Sequence, residues 1–293
     1  MTTTTIEPTT RTLDVPGATL AYDVRRNDAS TEPILLLIGS PMGAAGFSTL
    51  ASHFTDRTVV TYDPRGSERS HRTDGIPENT PAEHADDLHR LIEVIADEPV
   101  EIFASSGGAV NALELVSRHP DQVRTLVAHE PPAWDGLPDR DAALAAALDL
   151  HTTYMRSGFG PAMAKFIALT SVQGPIPEGW TELPAPDPAA FGLPNNDDGK
   201  RDDPLFRQNM VAGANWKPPY EALRGASTRI VLGVGEESSQ TLTGRATAAI
   251  ADRLGLAPVT FPSHHGGFLG GESGYPGKPV EFAAKLREVL ASA

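Results

Sequence analysis

Hydrophobic residues along the chain change period several times, and each change marks an element. Ile34-Leu35-Leu36-Leu37-Ile38 is an unbroken apolar run, as expected of a strand covered on both faces. Thr58–Tyr62, Val100–Phe103, Thr125–Ala128, Ile230–Val234 and Val259–Phe261 are shorter runs of the same kind. Two earlier strands, Arg11–Val15 and Ala18–Arg25, are joined by a Pro16-Gly17 turn. Between the runs the apolar spacing becomes helical: Leu88, Leu91, Ile92 and Ile95 in one segment, and Ala109, Ala112, Leu113 and Val116 in another. Thr80-Pro81-Ala82-Glu83 starts the first of these, with Thr as N-cap, Pro at the first helical position and Glu three residues on. Further helices are predicted near 244–254 and 280–290. Strand alternating with helix predicts an α/β fold: a mostly parallel, eight-stranded sheet with helices on both faces.

The alternation stops after Pro131-Pro132 and resumes only near residue 226. The interval 137–225 holds a helical stretch at Asp141–Arg156 and a Pro- and Asp-rich segment from Gly174 to Pro204. Its apolar side chains, Phe166, Ile167, Leu169, Phe191, Phe206 and Trp216, are too many for a solvated linker. It therefore reads as a helical cap or lid inserted over the carboxyl edge of the strands, where such sheets bind ligands. The expected organisation is a disordered Thr-rich tail over 1–9, a core from 10–136 and 226–293, and a cap over 137–225.

Composition narrows the chemistry. The 293 residues include no cysteine, which removes disulfides, thiolate metal sites and a cysteine nucleophile. A net charge of −14 opposes binding to nucleic acid or an anionic membrane surface. The N-terminus shows neither a basic nor an apolar leader region, so a cytoplasmic location is expected. A small-molecule substrate is the expected partner, and a homodimer is compatible with the chain.

The segment Ala104-Ser105-Ser106-Gly107-Gly108 follows a strand and opens a helix. This is the pattern of a nucleophile elbow, G-x-S-x-G, with Ala104 at its first position. The abrupt turn demands small neighbours and lifts the central side chain above the sheet, so Ser106 is the candidate nucleophile. Ser105 lies one residue out of register. A serine nucleophile needs a base, and Phe261-Pro262-Ser263-His264-His265-Gly266-Gly267 places imidazoles directly after the last strand. His265, next to the flexible Gly pair, is the candidate base, and His264 a packing residue. An oxyanion needs two donors, which the Gly107 amide and the Ser40 amide of Ile38-Gly39-Ser40-Pro41 could supply. His84 and His89, near Asp86 and Asp87, lack the spacing of a helical metal pair and read as a solvated face.

With these motifs in order, the chain resembles the α/β-hydrolase-fold superfamily, in its capped serine hydrolase branch. Gly39-Ser40-Pro41 resembles that family's H-G-x-P loop, with Ile38 in place of His. Tyr62-Asp63-Pro64-Arg65-Gly66-Ser67 resembles a family loop that is usually structural. The resemblance implies a Ser-His-acid triad, an acyl-enzyme, and no metal or organic cofactor. It implies hydrolysis of an ester, lactone or related acyl bond, with C–C bond hydrolysis of a β-diketone or non-catalytic ligand binding as alternatives. Two places are open for the acid. Glu130, before Pro131-Pro132, corresponds to the position after the sixth strand used by haloalkane dehalogenases. Glu237, with Glu236 third, lies after the seventh strand, the commoner place. Glu130 is preferred.

Overall fold

The computed structural model describes residues 6–272, 274 and 276–292. All eight expected strands form, in the spatial order Thr9–Val15, Ala18–Arg25, Val59–Tyr62, Leu35–Ile38, Val100–Ser105, Val123–His129, Arg229–Gly235 and Val259–Phe261. The first two pairings are antiparallel and the rest parallel. A ninth, two-residue strand, His71–Arg72, pairs with Ala18–Arg25. Residues 1–5 of the expected tail lie outside the described residues, and Thr9, assigned to that tail, opens the first strand.

The period of two along each strand divides the interior into two layers. Leu36, Ile38, Ile102 and Ala104 face one side, against the helices Pro81–Ile95, Gly107–Arg118 and Leu242–Leu254. Leu35, Leu37 and Phe103 face the other, against Phe47, Phe268 and the helix Pro279–Ala291. The capping box read at Thr80 forms: the Glu83 amide donates to Thr80 Oγ1 at 3.2 Å, and the Thr80 amide donates to Glu83 Oε2 at 2.9 Å. Among the described residues, no helix is long and apolar enough to cross a membrane.

The inserted segment has its own apolar core. Helices Arg140–Ser157 and Phe159–Thr170 enclose Phe206, whose ring meets those of Tyr154, Phe159 and Phe166 with centroids about 6 Å apart. The Pro-rich stretch folds into short 3-10 turns at Trp180–Glu182 and Pro188–Phe191. Trp216, Tyr220 and Leu223 already pack on the main core, so the expected boundary at 225 falls inside a segment that has rejoined it. Packing of Leu242 and Ala246 into the same cluster seats the insertion on the helix Leu242–Leu254.

One polar strut fastens this seat. Both terminal guanidinium nitrogens of Arg245, Nη1 and Nη2, donate to the Asp139 carboxylate, and Nη1 also donates to the Gly174 carbonyl at 2.7 Å. Asp139 in turn accepts from the Ile176 amide at 2.8 Å. Arg245→Met should therefore cost about 1.5–3 kcal/mol, the range for hydrogen bonds to charged groups. A thermal melt checks this, and an unchanged midpoint would show that the strut holds nothing.

Candidate active site

The strand order places the site. Leu35–Ile38 lies between Val59–Tyr62 and Val100–Ser105, so the chain's direction of travel across the sheet reverses there. Loops leaving two adjacent strands at such a point diverge and open a crevice. Register then fixes heights: Ile38 pairs with Ala104, and Ser105 with His129. Ser40, Ser106 and Glu130 consequently leave the sheet at one edge.

Ser106 sits at φ 56°, ψ −128°, the strained backbone demanded by the strand-to-helix turn. Ala104, two residues before it, is fully buried, and a Cβ on Gly108, two after, would lie 2.7 Å from the Gly39 Cα. A Cβ on Gly107 would lie 2.5 Å from the Ser40 carbonyl oxygen. The helix N-terminus is thus pressed onto the Gly39-Ser40 loop, and neither glycine can carry a side chain. Gly107 is the first helical residue, where the N–H has no intrahelical acceptor. The loop resembling a structural one does brace this region. Asp63 accepts from the Ala44 amide at 2.8 Å and from Arg69 Nε at 2.6 Å. Arg65 is buried and bound to the buried Asp87.

Glu130 is completely buried and also has a positive φ, 49°. Its Oε1 accepts from the Gly235 amide at 2.9 Å. Its Oε2 accepts from Thr243 Oγ1 at 2.7 Å and lies 2.6 Å from His265 Nδ1. A carboxylate can only accept, so Nδ1 carries the proton and Nε2 is the bare nitrogen. Burial disfavours the Glu130 carboxylate, but the charge of His265 and these hydrogen bonds outweigh it and hold the carboxyl well below the usual range. Burial likewise opposes the imidazolium of His265, and the neighbouring Glu130 overcomes it, so its pKa is raised.

The other candidates sit elsewhere. Glu236 accepts from the Ser263 amide at 3.0 Å and from Lys278 Nζ at 2.7 Å. Glu237 is exposed at the cavity rim, its amide bound to the Ser263 carbonyl at 3.1 Å. Both therefore brace the His loop. His264 Nδ1 accepts from the Gly266 amide at 3.0 Å, a loop contact consistent with packing. Sequence reasoning missed Thr243, which lies 113 residues from the carboxylate it serves and carries no local signal.

Ser40, Ser106, Gly107, Thr243 and His265 open onto one cavity of about 580 Å³ between the core and the inserted segment. Its walls are mainly apolar, with Trp134, Leu150, Phe166, Leu169 and Met210 among them. His84 lines it too, which corrects the reading of a solvated face. His84 and Asp87 fall on the buried stripe of the helix Pro81–Ile95, with Leu88 and Leu91 at helical spacing. Among the described residues, no group of three or more His, Cys, Asp or Glu side chains could hold a metal ion.

The family described as alpha/beta hydrolase fold matches residues 32–175. Over 122 residues the chain is 43% identical to the uncharacterized hydrolase YraK of Bacillus subtilis (strain 168); the match covers 41% of this chain and 44% of YraK, so it spans less than half of that relative. The structure is similar to a thermophilic esterase from Thermogutta terrifontis, with TM-score 0.67 and 17% identity, covering 97% of this chain and 98% of that one. It is also similar to the enol-lactonase from Burkholderia xenovorans LB400, with TM-score 0.62 and 14% identity, covering 96% and 100% respectively. At these identities the structural likenesses concern the fold. The chain has the α/β-hydrolase fold.

Proposed function

We propose that the protein is a serine hydrolase that cleaves an ester or lactone of a small molecule through Ser106, His265 and Glu130. The observation that carries this reading is the 2.6 Å contact of His265 Nδ1 with a buried carboxylate, beside a strained serine on the same cavity. A relative named a hydrolase and structural neighbours named an esterase and an enol-lactonase support it.

In this mechanism Ser106 Oγ attacks the substrate carbonyl as His265 Nε2 takes its proton. The amides of Gly107 and Ser40 hold the developing oxyanion. Collapse expels the alcohol, which receives that proton, and leaves an acyl ester on Ser106. Water, deprotonated by His265, then attacks the ester; the acid leaves and the serine regains its hydrogen. Glu130 keeps Nδ1 protonated and stabilises the transient imidazolium. A fluorophosphonate probe tests the reading: wild type should be labelled and Ser106→Ala should not, whereas a folded wild type that takes no label overturns it.

The base works only when neutral, so pH follows from its shift. With the pKa raised, kcat/KM should climb with increasing pH on a limb whose midpoint lies above the ordinary imidazole value of 6.5. Removing the carboxylate charge in Glu130→Gln should move that midpoint down. A wild-type midpoint at or below 6.5 would contradict the coupling.

A further inference from the structure

Among the described residues, three that line the cavity carry a buried, unpartnered polar atom that the proposed chemistry does not use: the ring nitrogen His84 Nδ1, and the donors Asn111 Nδ2 and Trp134 Nε1. His84 is 1% exposed and Asn111 is 3% exposed, and both line the cavity. Among the described residues, neither His84 Nδ1 nor Asn111 Nδ2 has a hydrogen-bond partner. Leaving a buried donor or acceptor unpaired costs about 1–3 kcal/mol, so such groups are usually satisfied by something.

Their chemistry is defined by their neighbours. Asn209 Nδ2 donates to the Pro204 carbonyl at 2.7 Å, which turns Asn209 Oδ1 toward His84. That oxygen lies 2.8 Å from His84 Nε2 and can only accept, so Nε2 carries the proton and Nδ1 presents a lone pair. Burial pushes the His84 pKa down to about 4, against the opposing hydrogen bond with Asn209, so the ring is neutral at pH 7. Asn111 Nδ2 is a donor. It stands on the helix that begins at the elbow, on its second turn. Among the described residues, no Lys or Arg lines the cavity, so no cationic side chain there pairs with an anionic group.

From the unpartnered acceptor and donor in this mainly apolar chamber, we infer that the substrate carries a hydroxyl, which donates to His84 Nδ1 and accepts from Asn111 Nδ2. The inference deepens the ester hydrolase reading and rests on it for turnover. The same donor and acceptor select against a plain hydrocarbon chain, because binding it leaves both polar atoms dry.

The experiment compares ethyl hexanoate with its hydroxylated derivatives, the isomers that carry the hydroxyl at positions 3 to 6 of the acyl chain, and with 2-hydroxyethyl hexanoate. Two readouts are taken: kcat/KM with wild type, and Kd by calorimetry with Ser106→Ala. At least one hydroxylated ester should exceed ethyl hexanoate about tenfold in both, a ratio worth about 1.4 kcal/mol. Asn111→Leu should bring the ratio to near one. Asn111→Asp replaces the donor with an acceptor at the same shape and should do the same, which serves if the leucine variant fails to fold. The inference is overturned if no isomer outbinds ethyl hexanoate, as expected where only water fills the two positions. It is also overturned if the preference survives the Asn111 changes. Should wild type neither turn over esters nor take the fluorophosphonate, the hydrolase reading falls, and the binding arm still decides the hydroxyl reading.

Discussion

Ser106→Ala is expected to lower kcat by about 10⁶, the scale seen when a serine hydrolase loses its nucleophile. Fold should survive the change. The Ser106 side chain makes no cap hydrogen bond to its helix, and alanine meets the same backbone strain at φ 56° as serine does. Ser106→Gly should be the more stable of the two variants, because glycine adopts positive φ without the steric cost that alanine bears. Thermal melts and burst kinetics on the three proteins separate the effects. Activity above about a thousandth of wild type in Ser106→Ala would place the nucleophile elsewhere. Ser105 is the nearest alternative, but it is buried in the sheet opposite His129, and Ser105→Ala should keep fluorophosphonate labelling.

The parts of this molecule that could be read from sequence are those whose physics is local. A strand covered on both faces must be apolar throughout, so Ile34–Ile38 announces itself, and the mostly parallel sheet follows from alternation with helices. The elbow is legible because close approach of Gly107 and Gly108 to the Gly39-Ser40 loop excludes side chains, and that demand is written in consecutive residues. A two-residue strand such as His71–Arg72 is too short to carry a period.

Contacts between distant segments left weaker traces. Glu130 and Glu237 look alike as residues after strands. They differ in that the Glu130 carboxylate is buried among Gly235, Thr243 and His265, all more than a hundred residues away. His84 was legible in principle, since it continues the Leu88, Leu91 stripe, but its polarity argued for solvent. It is instead a polar residue on a buried face, where an adjoining cavity gives it something to meet. Asn111 follows the same rule on the helix after the elbow: it lies within that helix's buried set, between Val110 and Ala112. In each helix one polar interruption of the apolar stripe, His84 or Asn111, meets the cavity, whereas Asp87 and Glu114 on the same helices are taken up by Arg65 and Trp216.

Glu130→Gln should lower kcat by about 10³–10⁴ with little change in KM, by the behaviour of triad acids replaced with their amides. The structure gives the reason in atoms. The substituted side chain could keep an oxygen for the Gly235 amide, but its amide nitrogen would then face Thr243 Oγ1 and His265 Nδ1. A donor opposite Nδ1 favours the tautomer protonated at Nε2, which cannot take a proton from Ser106. The change therefore disables the base without altering the shape of the cavity, and KM is spared. Turning the side chain over would restore the tautomer only by placing the amide nitrogen against the Gly235 N–H, donor against donor in a buried site. Glu237→Gln is the matched control, because that carboxylate is exposed and its role in the His loop runs through its backbone amide. It should stay within about twofold of wild type, as surface changes away from a site usually do. Stability carries a second signature. A carboxyl held below its usual range contributes stability above that range and loses it as pH falls. The wild type's melting advantage over Glu130→Gln should therefore be present at neutral pH and shrink on acidification through the carboxylate range. A crippled Glu237→Gln beside an active Glu130→Gln would transfer the role to the other acid, and would leave the 2.6 Å contact at His265 as packing alone.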